Sequence, residues 1–181
     1  MIALKHLNKR QEEIIIPEQL LEILPPQFEV FIYDFELNPI FNPQTVLIEN
    51  TNEKIHFTFS LDKSKNDFLN NDGDEYLSFN SLEELVNNIG IESDWNKNNL
   101  IAIGSTYVSQ IYIGYGASNF DSVYVDVHYE NNYIKVAHSI FDFFDKLYVE
   151  FRPVINNVEL DQVTLKKSKT NPNQWTYNKS D

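Results

Sequence analysis

The fold is decided by residues 100–144, whose sequence is LIAIGSTYVSQIYIGYGASNFDSVYVDVHYENNYIKVAHSIFDFF. Short runs of β-branched and aromatic residues alternate here with Gly, Asn and Ser, a pattern that predicts strands joined by tight turns. The predicted strands are Leu100–Ile103, Gln110–Tyr115, Ser122–His128 and Ile134–Ala137. A closing helix follows, because Ser139 is a favoured N-cap residue and the apolar residues after it recur with helical spacing. These apolar residues are Ile140, Phe143, Phe144 and Leu147.

Upstream of this block, the sequence predicts helices and a β-hairpin. A short helix begins at Pro17 and stops at the Pro25-Pro26 pair. A second helix is predicted next, because apolar residues recur with helical spacing. These residues are Phe28, Phe31, Ile32 and Phe35. The runs Thr45–Glu49 and Ile55–Leu61 alternate as strands do, and the polar residues between them predict a hairpin turn.

The order of these elements predicts the fold class. Ser81 and Glu84 form a Ser-x-x-Glu capping box, which predicts a further helix that Gly90 ends. Helices, then a meander of strands, then a closing helix are typical of an α+β fold with a mixed or antiparallel sheet flanked by helices. We expect a single domain at residues 1–150. Residues 151–181 are expected to be a C-terminal extension that either adds a strand or is partly disordered.

Charge and composition limit the classes of partner. The chain has 181 residues, of which 27 are acidic and 14 are basic, and residues 25–100 carry a net charge of −10 out of −13. Such a field repels nucleic acid and acidic membranes, whereas it attracts a basic protein. The chain has no cysteine, which excludes disulfides and thiolate metal sites. Because charges also interrupt the N-terminal apolar run, we expect a cytoplasmic protein without a signal peptide or a membrane span.

No arrangement of residues predicts an enzyme. The four histidines lack the spacing of a metal-binding helix, and neither a nucleophile elbow nor a phosphate loop is present. Asp126 and His128 share one face of a predicted strand, where an acid–base pair is conceivable, but the ordinary interpretation is a solvated polar face. The loop at residues 67–75 fails the EF-hand register. We therefore expect no catalytic residue, no metal and no cofactor.

Two groups of residues are candidates for contact with a protein partner. The acidic loop residues Asp72, Asp74 and Glu75 are suited to steering a basic partner, although a solvated turn is the alternative. Tyrosines are concentrated in the strand-rich half, where they either pack the sheet or form an exposed aromatic face. The predicted anchors are Tyr107, Tyr112 and Tyr115.

The ordered series of segments has a counterpart in a known family. In this sequence the segments of the series are Leu24-Pro25, the Phe28–Phe35 helix, Leu100–Gly104, Ile111–Ile113, Val123-Tyr124 and Ala137–Phe144. Together they cover residues 17–150, and the series resembles the SMI1/KNR4 family, also called the SUKH superfamily. Two segments depart from the family pattern: Ser105–Ser109 stands in place of a Gly-Asp turn, and Gly114–Gly116 in place of an Asp.

The resemblance implies a single α+β domain that binds proteins and has no catalytic chemistry. Bacterial members look like immunity proteins, which bind and block a cognate toxin that is frequently a nuclease. Fungal members act instead as regulatory scaffolds. For this chain the resemblance implies an immunity protein that occludes a basic toxin domain, and the alternative is a scaffold that binds an endogenous protein. The acidity agrees with the first expectation, because a nuclease needs a basic surface to approach phosphates.

Overall fold

The computed structural model describes the side chains of residues 7–37, 77–89 and 94–148. For the strands at 44–48, 54–61, 149–155, 158–159, 163–167 and 175–179, it describes the backbone alone. Within these residues the helices, named α1 to α5 in chain order, are Glu18–Leu21, Pro26–Asp34, Leu82–Ile89, Asp94–Lys97 and Ile140–Lys146. The strands, named β1 to β11, are Gln44–Ile48, Lys54–Leu61, Ser78–Phe79, Leu100–Ser105, Ser109–Gly114, Val123–Val127, Ile134–Ala137, Val149–Ile155, Val158–Glu159, Val163–Lys167 and Trp175–Lys179.

The described strands form two sheets. One has five antiparallel strands in the order β3-β4-β5-β6-β7, which follows the chain. The other has six strands in the order β10-β11-β1-β2-β8-β9 and is mixed, because β1 and β11 run parallel. The α+β class is therefore confirmed, and its strands divide between an antiparallel and a mixed sheet.

The six-stranded sheet brings together strands that are far apart in sequence. Strands β1 and β2 pair antiparallel, as predicted for the hairpin. Strand β8 pairs antiparallel with β2, in a register that runs from His56 opposite Val154 to Leu61 opposite Val149. The expected domain boundary after residue 150 consequently falls inside β8, and strands from the C-terminal residues continue the sheet that the hairpin begins.

One face of the five-stranded sheet carries the main hydrophobic core. Alternate residues of β4, β5 and β6 are fully buried on this face: Ile101, Ile103, Ile111, Ile113, Val123 and Val125. The predicted stripes of α2 and α5 are buried in the same cluster, which confirms both helical spacings. Among the described residues, no helix is both long and apolar enough to cross a membrane.

Phe31 of α2 lies at the centre of this core. Its ring centroid lies 4.9 Å from that of Phe144 in α5 and 6.0 Å from that of Phe79 in β3. Phe28, Phe35 and Phe141 bring three more rings within 6.2 Å of it. Aromatic pairs of this kind contribute about 0.5–1.5 kcal/mol each beyond the burial of their area. The cluster therefore joins α2, β3 and α5, of which the first and the last are more than a hundred residues apart in sequence.

Both predicted N-caps are present. The backbone N–H of Ser81 donates to Glu84 Oε2 at 2.7 Å, and the N–H of Glu84 donates to Ser81 Oγ at 3.3 Å, which completes the capping box. Ser139 Oγ accepts from the N–H of Asp142 at 3.2 Å. Burial raises the pKa of Asp142, but hydrogen bonds from the His138 N–H and from Lys146 outweigh it and lower the pKa overall.

We predict that Phe144→Ala lowers the free energy of unfolding by about 3–5 kcal/mol, because it removes a fully buried ring and leaves a cavity beside Phe31. Urea unfolding followed by circular dichroism measures the change. Phe120→Ala is the matched control, since the Phe120 side chain is 51% exposed and its loss should change stability little. Equal unfolding midpoints for Phe144→Ala and the parent chain would show that this stripe is not core.

Candidate functional site

The second face of the five-stranded sheet is polar and only partly covered. Ala102, Tyr112 and Tyr124 lie opposite one another on β4, β5 and β6, and Trp95 of α4 packs against them. Gln110 and Asp126 pair two residues further along, so their side chains lie on the same face. Beside them is an open groove of about 410 Å³. This groove is the candidate functional site.

The lining of the groove comes from both helices next to β4 and from three strands. Its residues are Asn80, Glu84, Asn88, Trp95, Ala102, Gln110, Tyr112, Asp126, Tyr129 and Asn131. Glu84 and Asn88 lie one turn apart on α3 and therefore share the face that borders the groove. The lining includes two carboxylates and four amides but no lysine, arginine or histidine.

Three of the amides are oriented by backbone carbonyl groups of β4. The NH₂ groups of Asn80 and Asn88 donate to Ala102 O at 2.9 and 3.2 Å, and that of Gln110 donates to Gly104 O at 2.9 Å. Since a carbonyl oxygen can only accept, each NH₂ group must face the strand and each amide oxygen must face elsewhere. No described residue donates a hydrogen bond to these three oxygens. The groove therefore presents acceptors.

An irregularity in β4 makes these carbonyl groups available. The register of β4 against β5 shifts between Ala102 and Gly104, so the regular ladder is interrupted there. The N–H of Asn80 donates to Ile103 O at 2.8 Å, between the two carbonyls that bind side-chain amides. At Gly104, a Cβ atom would meet the carbonyl oxygen of Ser78 and the backbone of Phe79, so glycine is required for β3 to approach.

Tyr112 forms the floor of the groove. Its side chain is 4% exposed and packs edge-to-face against Tyr133, with ring centroids 5.2 Å apart. The ring is almost wholly buried, and no described residue forms a hydrogen bond with its hydroxyl. Burial, followed by the nearby Tyr133 and Asp126, raises the pKa of Tyr112 well above its ordinary value. The hydroxyl therefore stays protonated at neutral pH.

Asp126 supports the turn at one end of the groove. Its carboxylate accepts hydrogen bonds from the N–H groups of Glu130, Asn131 and Asn132 at 3.0, 2.9 and 3.2 Å. The turn contains three non-glycine residues with φ between 57° and 60°, which are His128, Tyr129 and Asn131. Left-handed backbone costs about 1–2 kcal/mol per such residue, which the hydrogen bonds to Asp126 offset.

The position of Asp126 corrects the expectation of a solvated polar face. Its side chain is 1% exposed because the turn folds back over the end of β6 and covers the carboxylate. His128 is exposed and lies in the turn rather than on the strand. Since three backbone N–H groups occupy the carboxylate, its role in this arrangement is to hold the turn.

Of the predicted contact residues, the three described tyrosines lie in different environments. Asp72, Asp74 and Glu75 lie outside the described residues. Tyr107 precedes β5 and is 77% exposed, whereas Tyr115 follows β5, packs against the main core, and donates to Asn96 O at 3.4 Å. Of the three predicted tyrosines, the groove contains only Tyr112, which is buried because the aromatic side chains of Trp95 and Tyr133 cover it.

Sequence reasoning missed the polar residues of the groove. Asn80, Asn88 and Gln110 belong to three separate segments, and their only shared property is that their amides reach neighbouring carbonyls of β4. The two-residue periodicity of β5 does place Gln110 and Tyr112 on one face, which was a usable signal. In the described part of the chain, no cluster of acidic and histidine side chains is arranged to hold a metal.

No known protein family, curated protein or solved structure matches this chain. Function is therefore inferred from the chemistry of the groove and from the sequence.

Asp121 is a buried carboxyl group outside the groove, in the turn between β5 and β6. Its side chain is 9% exposed, its φ is 63°, and one carboxyl oxygen is enclosed without a hydrogen-bond partner. Burial raises the pKa of Asp121 to about 6. A carboxyl group whose pKa is higher in the folded than in the unfolded state lowers the free energy of unfolding at pH values above the folded-state pKa. This loss disappears as the pH falls toward the pKa of the unfolded chain, about 3.9.

We predict that Asp121→Asn raises the free energy of unfolding at pH 7.5 by on the order of 1 kcal/mol, because it removes the buried charge. The gain should shrink as the pH is lowered from 7 to 4, since the parent carboxyl then takes up its proton. Urea unfolding at pH 7.5, 6 and 4.5 gives the difference between the two chains. A difference that is the same at all three pH values would contradict the assignment.

We also predict that Asp126→Ala lowers the free energy of unfolding by about 2–4 kcal/mol, because it leaves three backbone N–H groups of the turn without their acceptor. Asp145→Ala is the control, since the Asp145 side chain is exposed on α5 and lies outside the turn. Thermal unfolding compares the variants. If both substitutions have equal effects, the turn does not depend on the buried carboxylate.

Proposed function

We propose that this protein is a non-catalytic binding protein that takes up a basic segment of a partner protein in the groove. The observation that carries the proposal is the lining itself, which combines two carboxylates, outward-facing amide oxygens and aromatic rings with no cationic side chain. A cationic group would meet acceptors on several sides there, whereas an anion would meet two carboxylates and no cationic side chain.

The charge of the whole chain favours a partner that is basic over a wide surface. A net charge of −13 attracts such a protein from a distance and accelerates its association. Toxins that cleave nucleic acid have this property, since they must bind phosphates. The resemblance to the SMI1/KNR4 family leads to the same partner class. We therefore propose an immunity protein of the cytoplasm that masks the basic face of a toxin.

The proposed mechanism is occlusion. The groove and the acidic surface around it would cover the cationic residues with which a toxin binds its substrate, and no bond would be made or broken. Association should slow as salt screens the charges, whereas dissociation should depend on the aromatic contacts at Trp95 and Tyr129. A regulatory scaffold that binds an endogenous basic protein would use the same groove, and gene context separates the two.

We predict that Asn88→Lys weakens partner binding at least tenfold, because it places an ammonium group among the acceptors of the groove. Asn87→Lys is the matched control, since Asn87 is the preceding residue of the same helix, is exposed and is absent from the lining. Both substitutions change the net charge equally. Growth after induction of the toxin encoded beside the gene, with each variant co-expressed, is the first readout, and association rates at two salt concentrations are the second.

The outcomes discriminate between the proposals. Protection by the parent and by Asn87→Lys but not by Asn88→Lys supports an immunity role that uses the groove. Equal protection by both lysine variants would place the contact elsewhere on the surface. Without a neighbouring toxin gene, or with equal survival when the protein is omitted, the immunity function is wrong and the scaffold alternative replaces it.

A further inference from the structure

We infer that the groove is a recognition site for an arginine side chain, and that it discriminates against lysine and against neutral groups of the same shape. The identity of the protein that supplies the arginine rests on the proposed function, but the chemistry of the site does not. It depends on the hydrogen-bonding capacity, the charge and the aromatic walls of the described residues.

The first argument is the balance of donors and acceptors. Asn80, Asn88 and Gln110 each direct an amide oxygen away from β4, and none of these oxygens accepts a hydrogen bond from a described residue. The Tyr112 hydroxyl, on a side chain that is 96% buried, is likewise without a partner among the described residues. A guanidinium group brings five N–H donors and no acceptor, which complements such a lining better than the three donors of an ammonium group.

The second argument is charge at the ends of the groove. Glu84 is exposed on α3, and its capping hydrogen bonds use Oε2 alone. Asp126 lies buried at the other end, where the three N–H groups that contact it are dipoles and do not cancel its full charge. A delocalised cation between two carboxylates is stabilised from both sides.

The third argument is the volume of the groove and the aromatic side chains that line it. Trp95 packs against Tyr112 with ring centroids 6.1 Å apart, and Tyr129 extends from the turn with half of its surface exposed. A planar guanidinium group stacks on such rings, whereas an ammonium group is more strongly hydrated and loses more on entering. The volume of about 410 Å³ lies near the lower end of the range of about 300–1,000 Å³ for ligand pockets, which fits one side chain.

The test uses three small probes and the fluorescence of Trp95. The chain has two tryptophans, so Trp175→Phe leaves the one in the groove as the reporter. N-acetyl-arginine amide is titrated at low salt, beside N-acetyl-lysine amide and N-acetyl-citrulline amide, which keeps the shape of arginine without its charge. We expect saturation by arginine at a dissociation constant of about 1 mM, as for a ligand of its size. Lysine should bind at least fivefold more weakly, and citrulline should not saturate.

Two variants connect binding to the groove. Tyr112→Phe removes a hydroxyl that has no partner in the described fold, so it should leave the unfolding temperature unchanged and weaken arginine binding severalfold. Glu84→Gln keeps the capping box, because glutamine is equally suited to that position, and removes the charge. It should weaken arginine binding and reduce its salt dependence, whereas Glu83→Gln, one residue earlier and outside the lining, should do neither.

The result that overturns the inference differs from the one that overturns the proposed function. Equal binding of arginine and citrulline, equal binding of arginine and lysine, or no effect of both Tyr112→Phe and Glu84→Gln would each show that the groove is not an arginine site. Toxin protection that persists in those cases leaves the immunity function intact. Arginine binding with the expected variant effects, in cells where the protein gives no protection, supports the inference and rejects immunity.

Discussion

The stacking of Phe31 on Phe144, with ring centroids 4.9 Å apart, is the contact on which the rest of the described structure depends. It joins α2 to α5, and Phe79 brings the edge strand β3 into the same cluster. With these helices packed on one face of the five-stranded sheet, the buried isoleucines and valines of β4, β5 and β6 are covered from that side. The opposite face is consequently left to α4, the turn after β6 and the polar groove.

The groove owes its chemistry to the backbone as much as to its side chains. The register shift in β4 leaves the carbonyl groups of Ala102 and Gly104 to orient amides from β5, from α3 and from Asn80, two residues before α3. Each of these hydrogen bonds stabilises the edge of the sheet and at the same time directs an amide oxygen outward. Asp126 likewise has two effects. Its carboxylate accepts hydrogen bonds that stabilise the turn after β6, and it places a negative charge at the end of the groove. The contacts that stabilise this edge of the sheet therefore also set the polar lining of the groove.

Sequence-based predictions were accurate where they depended on interactions between residues that are close together in the chain. The helical stripes of α2 and α5, the caps at Ser81 and Ser139, and the strands from Leu100 to Ala137 depend on residues within a few positions of one another, and all are confirmed. The burial of Asp126 was not anticipated, and the sequence left open whether Tyr112 packs against the sheet or is exposed, because alternation in a strand separates two faces without saying what covers the second. The function of the acidic loop stays a prediction, as does the resemblance to the SMI1/KNR4 family.

The sequence by itself determined the α+β class, the apolar faces of the helices α2 and α5, the helix caps and the net negative charge of the chain. Periodicity, local hydrogen bonds and net charge are properties of neighbouring residues or of their sum. Only the tertiary structure decided that the strands form two sheets and that Asn80, Asn88, Trp95, Gln110 and Tyr112 share one groove. Those outcomes depend on pairings between segments far apart in the chain, and on a one-residue irregularity in β4, for which no local pattern carries a signal.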